Sequence, residues 1–111
     1  MPDVFSFLEA ICDAEGIILF DATSDKFPGV ALKTNDGRGI ALSPALKGWM
    51  KIAVTAHEIG HHVLGHLDDG ALSLGKIGDA EAQELRAHRE QEACVFAAAF
   101  TAVALFSYYA A

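Results

Sequence analysis

Positive charge is scarce in this chain: eight lysines and arginines stand against fifteen aspartates and glutamates, for a formal net charge of −7. Proteins that hold phosphate backbones do so through basic patches, and no such patch is visible, so direct nucleic-acid binding is not expected. Cysteine is almost as rare. Cys12 and Cys94 lie far apart, form no CxxC pair, and read as two free, buried thiols suited to a reducing cytosol. The first residues, Met-Pro-Asp-Val-Phe, lack the basic start and long apolar core of a secretory signal, so a cytoplasmic location is expected. From Ala93 to Ala111 charge is missing altogether, over a length close to a bilayer span. Frequent alanine, the polar Thr101, Ser107, Tyr108 and Tyr109, and the charged residues just upstream point instead to a helix packed on the core.

What is present describes a folded chain. The 111 residues are 52% hydrophobic and 21% charged, enough for one modest core and a single domain over residues 1–111. Val4, Phe5, Leu8, Ile11 and Cys12 fall on one face of a helix over residues 3–15, which Gly16 stops. Ile17 to Phe20 reads as a buried strand, and Ser24-Asp25-Lys26 and Phe27-Pro28-Gly29 as turns. Val30–Thr34 and Gly39–Leu42 flank Asn35-Asp36-Gly37-Arg38 as a β-hairpin. Ser43-Pro44 resembles an N-cap with proline at the first helical position, predicting a helix from about Ala45 to His66. Its apolar stripe is Trp49, Ile52, Ala53, Ala56, Gly60, Val63, Leu64 and Leu67. Gly60 in mid-helix costs about 1 kcal/mol relative to alanine, which predicts a close neighbour there. After a glycine-rich connection from Asp68 to Gly78, Asp79 opens a last helix in which Phe96, Phe100 and Phe106 are core by default, as is Trp49 before them.

Within the long helix, His57-Glu58-Ile59-Gly60-His61 is an HExxH motif. Side chains four apart stack on one helix face, so both imidazoles reach one ion, and imidazole is a natural zinc ligand. Glu58 sits one step round, the position of a general base for the attacking water. A catalytic zinc usually has three protein ligands, and the candidates for the third are His62, His66, Asp68, Asp69, His88, Glu90 and Glu92. His66 lies nine residues after His57, about 900° round and hence on the opposite face. His62 is turned about 100° from His61 and is expected to face solvent or substrate. The metzincin pattern needs glycine at 64 and histidine at 67, where this chain has Leu64 and Leu67. On the last helix Glu84, His88 and Glu92 share one face, while Glu84 and Glu90 read as solvated side chains.

The segment Thr55-Ala56-His57-Glu58-Ile59-Gly60-His61-His62-Val63-Leu64-Gly65-His66, taken with Glu90-Gln91-Glu92-Ala93-Cys94-Val95-Phe96-Ala97, resembles the ImmA/IrrE family of zinc metallopeptidases. The strand-like Gly39 to Pro44 is similar to the family's lead into its metal helix, and the resemblance spans roughly residues 28–100. The family's Leu-Leu-Met-Pro-like turn and any additional regulatory domain have no counterpart here. The resemblance implies a gluzincin-like site in which His57, His61 and Glu92 bind Zn2+ and Glu58 is the base. It further implies a bacterial or phage protease that cuts a protein substrate, a helix-turn-helix repressor. The alternative, from a different class, is a non-catalytic zinc-binding interaction module; the intact Glu58 favours the enzyme, because a structural site has no need of that carboxylate. The expected fold is α+β: an N-terminal helix, a small three-stranded sheet with a hairpin, then two long helices carrying the zincin-type site.

Overall fold

A computed structural model describes residues 4–23, 26–68 and 79–110. The order of elements is helix α1 (Val4–Glu15), strands β1 (Ile17–Asp21), β2 (Gly29–Thr34) and β3 (Gly37–Leu42), helix α2 (Gly48–Val63), a 3₁₀ turn at His66–Asp68, and helix α3 (Asp79–Ala110). The expected α+β arrangement is therefore present. Among the described residues no helix is long and apolar enough to cross a membrane. The turn residues Ser24 and Asp25 and the connection over 69–78 lie outside the described residues, as does the side chain of Phe106.

Strand β3 is the centre of the sheet, paired in parallel with β1 and antiparallel with β2, so β1 and β2 are its edges. The register sets Leu19, Ile40 and Ala31 in one row across the sheet. Ile40 and Leu42 on this face join Leu8 and Cys12 of α1, Ile17 of β1 and Ile59 of α2 in the buried core. Neighbouring rows point the other way and leave Ile18, Phe20, Val30 and Leu32 exposed. The hairpin turn is tighter than the four residues expected: Gly37 already pairs with Thr34, at φ 149. Arg38 of β3 donates to the last carbonyl of α1 at Glu15 and lies 3.6 Å from that residue's carboxylate, fixing α1 to the sheet.

Helix α2 differs from expectation at both ends. Ser43 does not cap it. The Ser43 hydroxyl accepts from the Ala45 N–H at 3.2 Å and its carbonyl from Leu46, which makes a separate turn, and α2 starts at Gly48 after extended Lys47. At the other end α2 stops at Val63. The N–H groups of Leu64 and Gly65 fold back to the carbonyls of Gly60 and His62, and Gly65 takes the left-handed conformation (φ 73) that lets the chain turn. The buried face is also rotated from the expected stripe: it comprises Thr55, Ala56, Glu58, Ile59, Gly60 and His62. Trp49 is 55% exposed, and Met50, Val63 and Leu64 are exposed with it. Polar residues are tolerated on the buried face because they find partners. Thr55 donates to the Lys51 carbonyl at 2.6 Å, and His62, expected to face outward, donates from Nε2 to the Gly39 carbonyl of β3 at 2.9 Å.

Helix α3 packs mainly on α2. Gly60 is the point of closest approach: a Cβ built there meets Phe96 Cδ1 at 2.9 Å. The close neighbour expected of this glycine is the Phe96 ring. Gly60→Ala would gain about 1 kcal/mol in helix propensity, but overpacking Phe96 costs about 1–3 kcal/mol. A net loss of roughly 1 kcal/mol is expected, read as a lower urea midpoint. In a Phe96→Ala background the same substitution should become stabilising; an equal loss in both backgrounds would show that Phe96 is not what glycine accommodates.

Candidate metal centre

Three elements meet at the HExxH motif: α2 supplies the imidazoles, the sheet holds Glu58, and α3 brings a carboxylate. The i, i+4 spacing on α2 aims both imidazoles the same way, and His57 Nε2 lies 3.2 Å from His61 Nε2. Their Nδ1 atoms have other neighbours: Cys94 Sγ lies 3.5 Å from His57 Nδ1, and His66 Nδ1 lies 2.9 Å from His61 Nδ1. When each Nδ1 carries the proton, both Nε2 lone pairs converge on one point. Two lone pairs at that separation repel, which is relieved either by a cation between them or by moving the protons to Nε2, where the Glu90 oxygens at 3.0 and 2.8 Å accept them. The donor atoms of His57, Glu58 and His61 all lie within 4.8 Å of one another, and this group could hold a metal ion.

Glu58 is 8% exposed and lies against β2, where the Ala31 N–H donates to its carboxylate. Burial raises its pKa from the ordinary 4.5, and the nearby Glu90 carboxylate pushes the same way, against the lowering effects of His57 and the Ala31 amide. His61 moves down, chiefly by burial, with His57 and His66 adding to the fall while Glu90 opposes it. A lowered pKa keeps His61 neutral, the form a metal needs.

The carboxylate that reaches the histidine pair is Glu90. Its Oε2 lies 3.0 Å from His57 Nε2 and its Oε1 2.8 Å from His61 Nε2. A tetrahedral ion with bonds of about 2.0–2.1 Å has ligand atoms about 3.3 Å apart. The 3.2 Å between the two Nε2 atoms approaches that edge; Glu90 meets them through different oxygens, at 3.0 and 2.8 Å, so its carboxylate lies beside the pair and one oxygen would have to turn to complete a tetrahedral set. Glu92, the ligand implied by resemblance, is placed elsewhere: its Oε1 lies 3.1 Å from His66 Nε2 and 3.7 Å from His88 Nε2. His88 is itself exposed. His62 is buried on the sheet side, and Asp69 lies outside the described residues, as do the side chains of Asp68, Tyr108 and Tyr109.

Two residues at the centre escape the sequence reading. His66 returns to His61 because the helix on which its opposite face was reckoned ends at Val63; Leu64-Gly65 was the available stop signal. Cys94 is exposed and beside His57, with no sequence signal to place it there. A cleft of about 400 Å³ opens over the site, lined by Gly29, Val30 and Ala31 on one side and Arg86, Arg89 and Glu90 on the other. Comparison of the chain with protein-family models, curated proteins and solved structures gave no match.

The raised pKa of Glu58 has a consequence for metal-free protein. The folded state binds this proton more tightly than the unfolded state, so the benefit is complete below 4.5 and is lost as pH rises through the folded value. Glu58→Gln cannot ionise and keeps an acceptor for Ala31. In chelator-treated samples the urea midpoints of variant and wild type should be close near about pH 4 and diverge in the variant's favour towards about pH 7. A constant difference across that range would mean that burial does not govern this carboxylate.

Proposed function

We propose that this chain is a zinc-dependent metallopeptidase that hydrolyses a peptide bond in a protein substrate. The observation that carries the reading is the convergence of His57 Nε2, His61 Nε2 and the Glu90 carboxylate, with buried Glu58 beside them. A donor set of two imidazoles and a carboxylate suits zinc. In this reading His57, His61 and Glu90 are the ligands, Glu90 taking the place that the resemblance gives to Glu92. Zinc in such a site acts as a Lewis acid towards a carbonyl and acidifies water. Glu58 accepts the proton of the attacking water and passes it to the leaving amine. Its raised pKa suits both halves of that task, and the Ala31 amide keeps its carboxylate on the cleft side of β2.

The cleft favours an extended peptide as substrate. Among the described residues strand β2 pairs only with β3, the Ala31 N–H on Glu58 aside, and Gly29 to Ala31 of this edge strand line the cleft, where an extended peptide could add to the sheet. The resemblance to the ImmA/IrrE family extends the reading to a cytoplasmic enzyme acting on a helix-turn-helix repressor.

Purified wild type is expected to hold about one zinc per chain, lost in His57→Ala and Glu90→Ala. Zinc-loaded wild type should cut members of a peptide library read by mass spectrometry. Glu58→Gln should keep its zinc and cut about 10²- to 10⁴-fold more slowly. Zinc retained with no cleavage in either protein would favour the non-catalytic zinc-binding module; zinc retained in Glu90→Ala but lost in Glu92→Ala would return the ligand role to Glu92.

A further inference from the structure

Beside the converging Nε2 atoms runs a second line of contacts, on the far side of His61. His61 Nδ1 lies 2.9 Å from His66 Nδ1, and His66 Nε2 lies 3.1 Å from Glu92 Oε1. The His66 side chain is only 9% exposed. We propose that His66 and Glu92 form a hydrogen-bonded relay that fixes the ring of His61, making both of them positioning residues for the metal centre and not ligands. The proposal rests on the reading above that His61 Nε2 faces a metal.

Proton placement then follows along the whole line. With Nε2 of His61 turned to a metal, its proton sits on Nδ1 and is donated to His66 Nδ1. That atom must accept, so the proton of His66 sits on Nε2 and is donated to the Glu92 carboxylate. Every donor meets an acceptor, and both nitrogens of His66 are engaged, which leaves none for a metal. A carboxylate behind a ligand histidine fixes its tautomer and ring orientation and raises its basicity; here a second imidazole carries that influence across one more bond.

The surrounding backbone is arranged for this task. Gly65 at φ 73 reverses the chain directly after α2 and returns His66 towards His61. The Arg89 guanidinium donates to the His66 carbonyl at 3.0 Å, so α3 holds the main chain of His66 through Arg89 and its ring through Glu92. Arg89 and Glu92 are three apart, hence neighbours on one face of α3. His57 has a softer support, a thiol at 3.5 Å from Nδ1. The relay therefore acts on one of the two imidazoles.

The test is a double-mutant cycle read by zinc affinity, from competition with a chromogenic chelator. His66→Ala should weaken zinc binding about 10- to 100-fold. His66→Asn, whose Oδ1 stands where Nδ1 stood, should recover most of that loss. Glu92→Ala should weaken binding in the wild-type background and have no further effect in His66→Asn. An equal loss in both backgrounds would overturn the relay, because Glu92 would then act on the metal without His66. The second readout needs no metal: in chelator-treated protein, Glu92→Ala should move the ring ¹⁵N signals of His66 and His61, and in His66→Asn those of His61 should no longer respond. His61 signals that ignore Glu92→Ala in the His66 protein would overturn the relay whether or not zinc binds. Absence of zinc from wild type would overturn the peptidase reading and with it the positioning role, while the ring signals would still decide whether His61, His66 and Glu92 are coupled.

Discussion

The contact between Gly60 and Phe96 is the constraint on which the site depends. Any side chain at position 60 would meet the aromatic ring at its first carbon, so only glycine allows α3 to lie this close to α2. Phe96 in turn stacks on Phe100 at 5.5 Å, and Phe100 meets Phe7 of α1 at 6.0 Å. This file of rings ties α3 to two other helices at once. With the axis and roll of α3 so fixed, three polar contacts fall into place along it: Glu90 on the histidine pair, Glu92 on His66, and Cys94 on His57. None of these would survive an outward displacement of α3 by a few ångströms, since each is a contact of hydrogen-bond length.

The sheet supplies the other half of the positioning. Helix α2 buries three polar residues on the sheet side, Thr55, Glu58 and His62. A buried polar group without a partner would cost about 1–3 kcal/mol. Here His62 bonds to Gly39 of the central strand and Glu58 to Ala31 of the edge strand, so the groups that would otherwise weaken the fold become the links that orient α2. Gly29 contributes by its lack of a side chain: a Cβ there would meet Val54 at 2.7 Å and the Glu58 side chain at 3.4 Å. The general base proposed here is thus set by strand β2, the two imidazoles by helix periodicity, and the third donor by α3.

This division of labour accounts for what the sequence disclosed. The His57–His61 pair was legible because an i, i+4 relation is local and survives any tertiary arrangement. Gly60 was legible because glycine in mid-helix has a cost that only a close neighbour repays. The burial of Thr55 and His62 was hidden, since hydropathy cannot show that each has a hydrogen-bond partner. Trp49 was misplaced for the complementary reason: its size suggested core, but α2 turns that face outward. The choice between Glu90 and Glu92 lay beyond any local rule. The packed stripe of α3 passes through Ala82, Arg89, Ala93, Phe96 and Phe100; on a helical wheel Glu92 sits about 70° to one side of it and Glu90 about 90° to the other. Periodicity scarcely separates the two, and Glu92 was indicated by the resemblance alone. Which flank meets the histidines is decided by how α3 crosses α2, and that is a property of two surfaces. His66 needed a different correction, for its position depended on where α2 stops.

The electrostatics of the centre suit a divalent cation. Burial moves Glu58 and His61 in opposite directions on the pH scale, but both shifts favour the uncharged form. For His61 this is preparation: a neutral imidazole binds a metal without first releasing a proton. For Glu58 the effect of a cation is the reverse, since a nearby +2 charge stabilises the carboxylate and offsets both its burial and its repulsion from Glu90. One low-dielectric pocket therefore disfavours an imidazolium at His61 and raises the point at which the Glu58 carboxylate gains its proton. The same ion that takes the two imidazole lone pairs would set that point, so ligand geometry and the strength of the base are coupled through a single occupant.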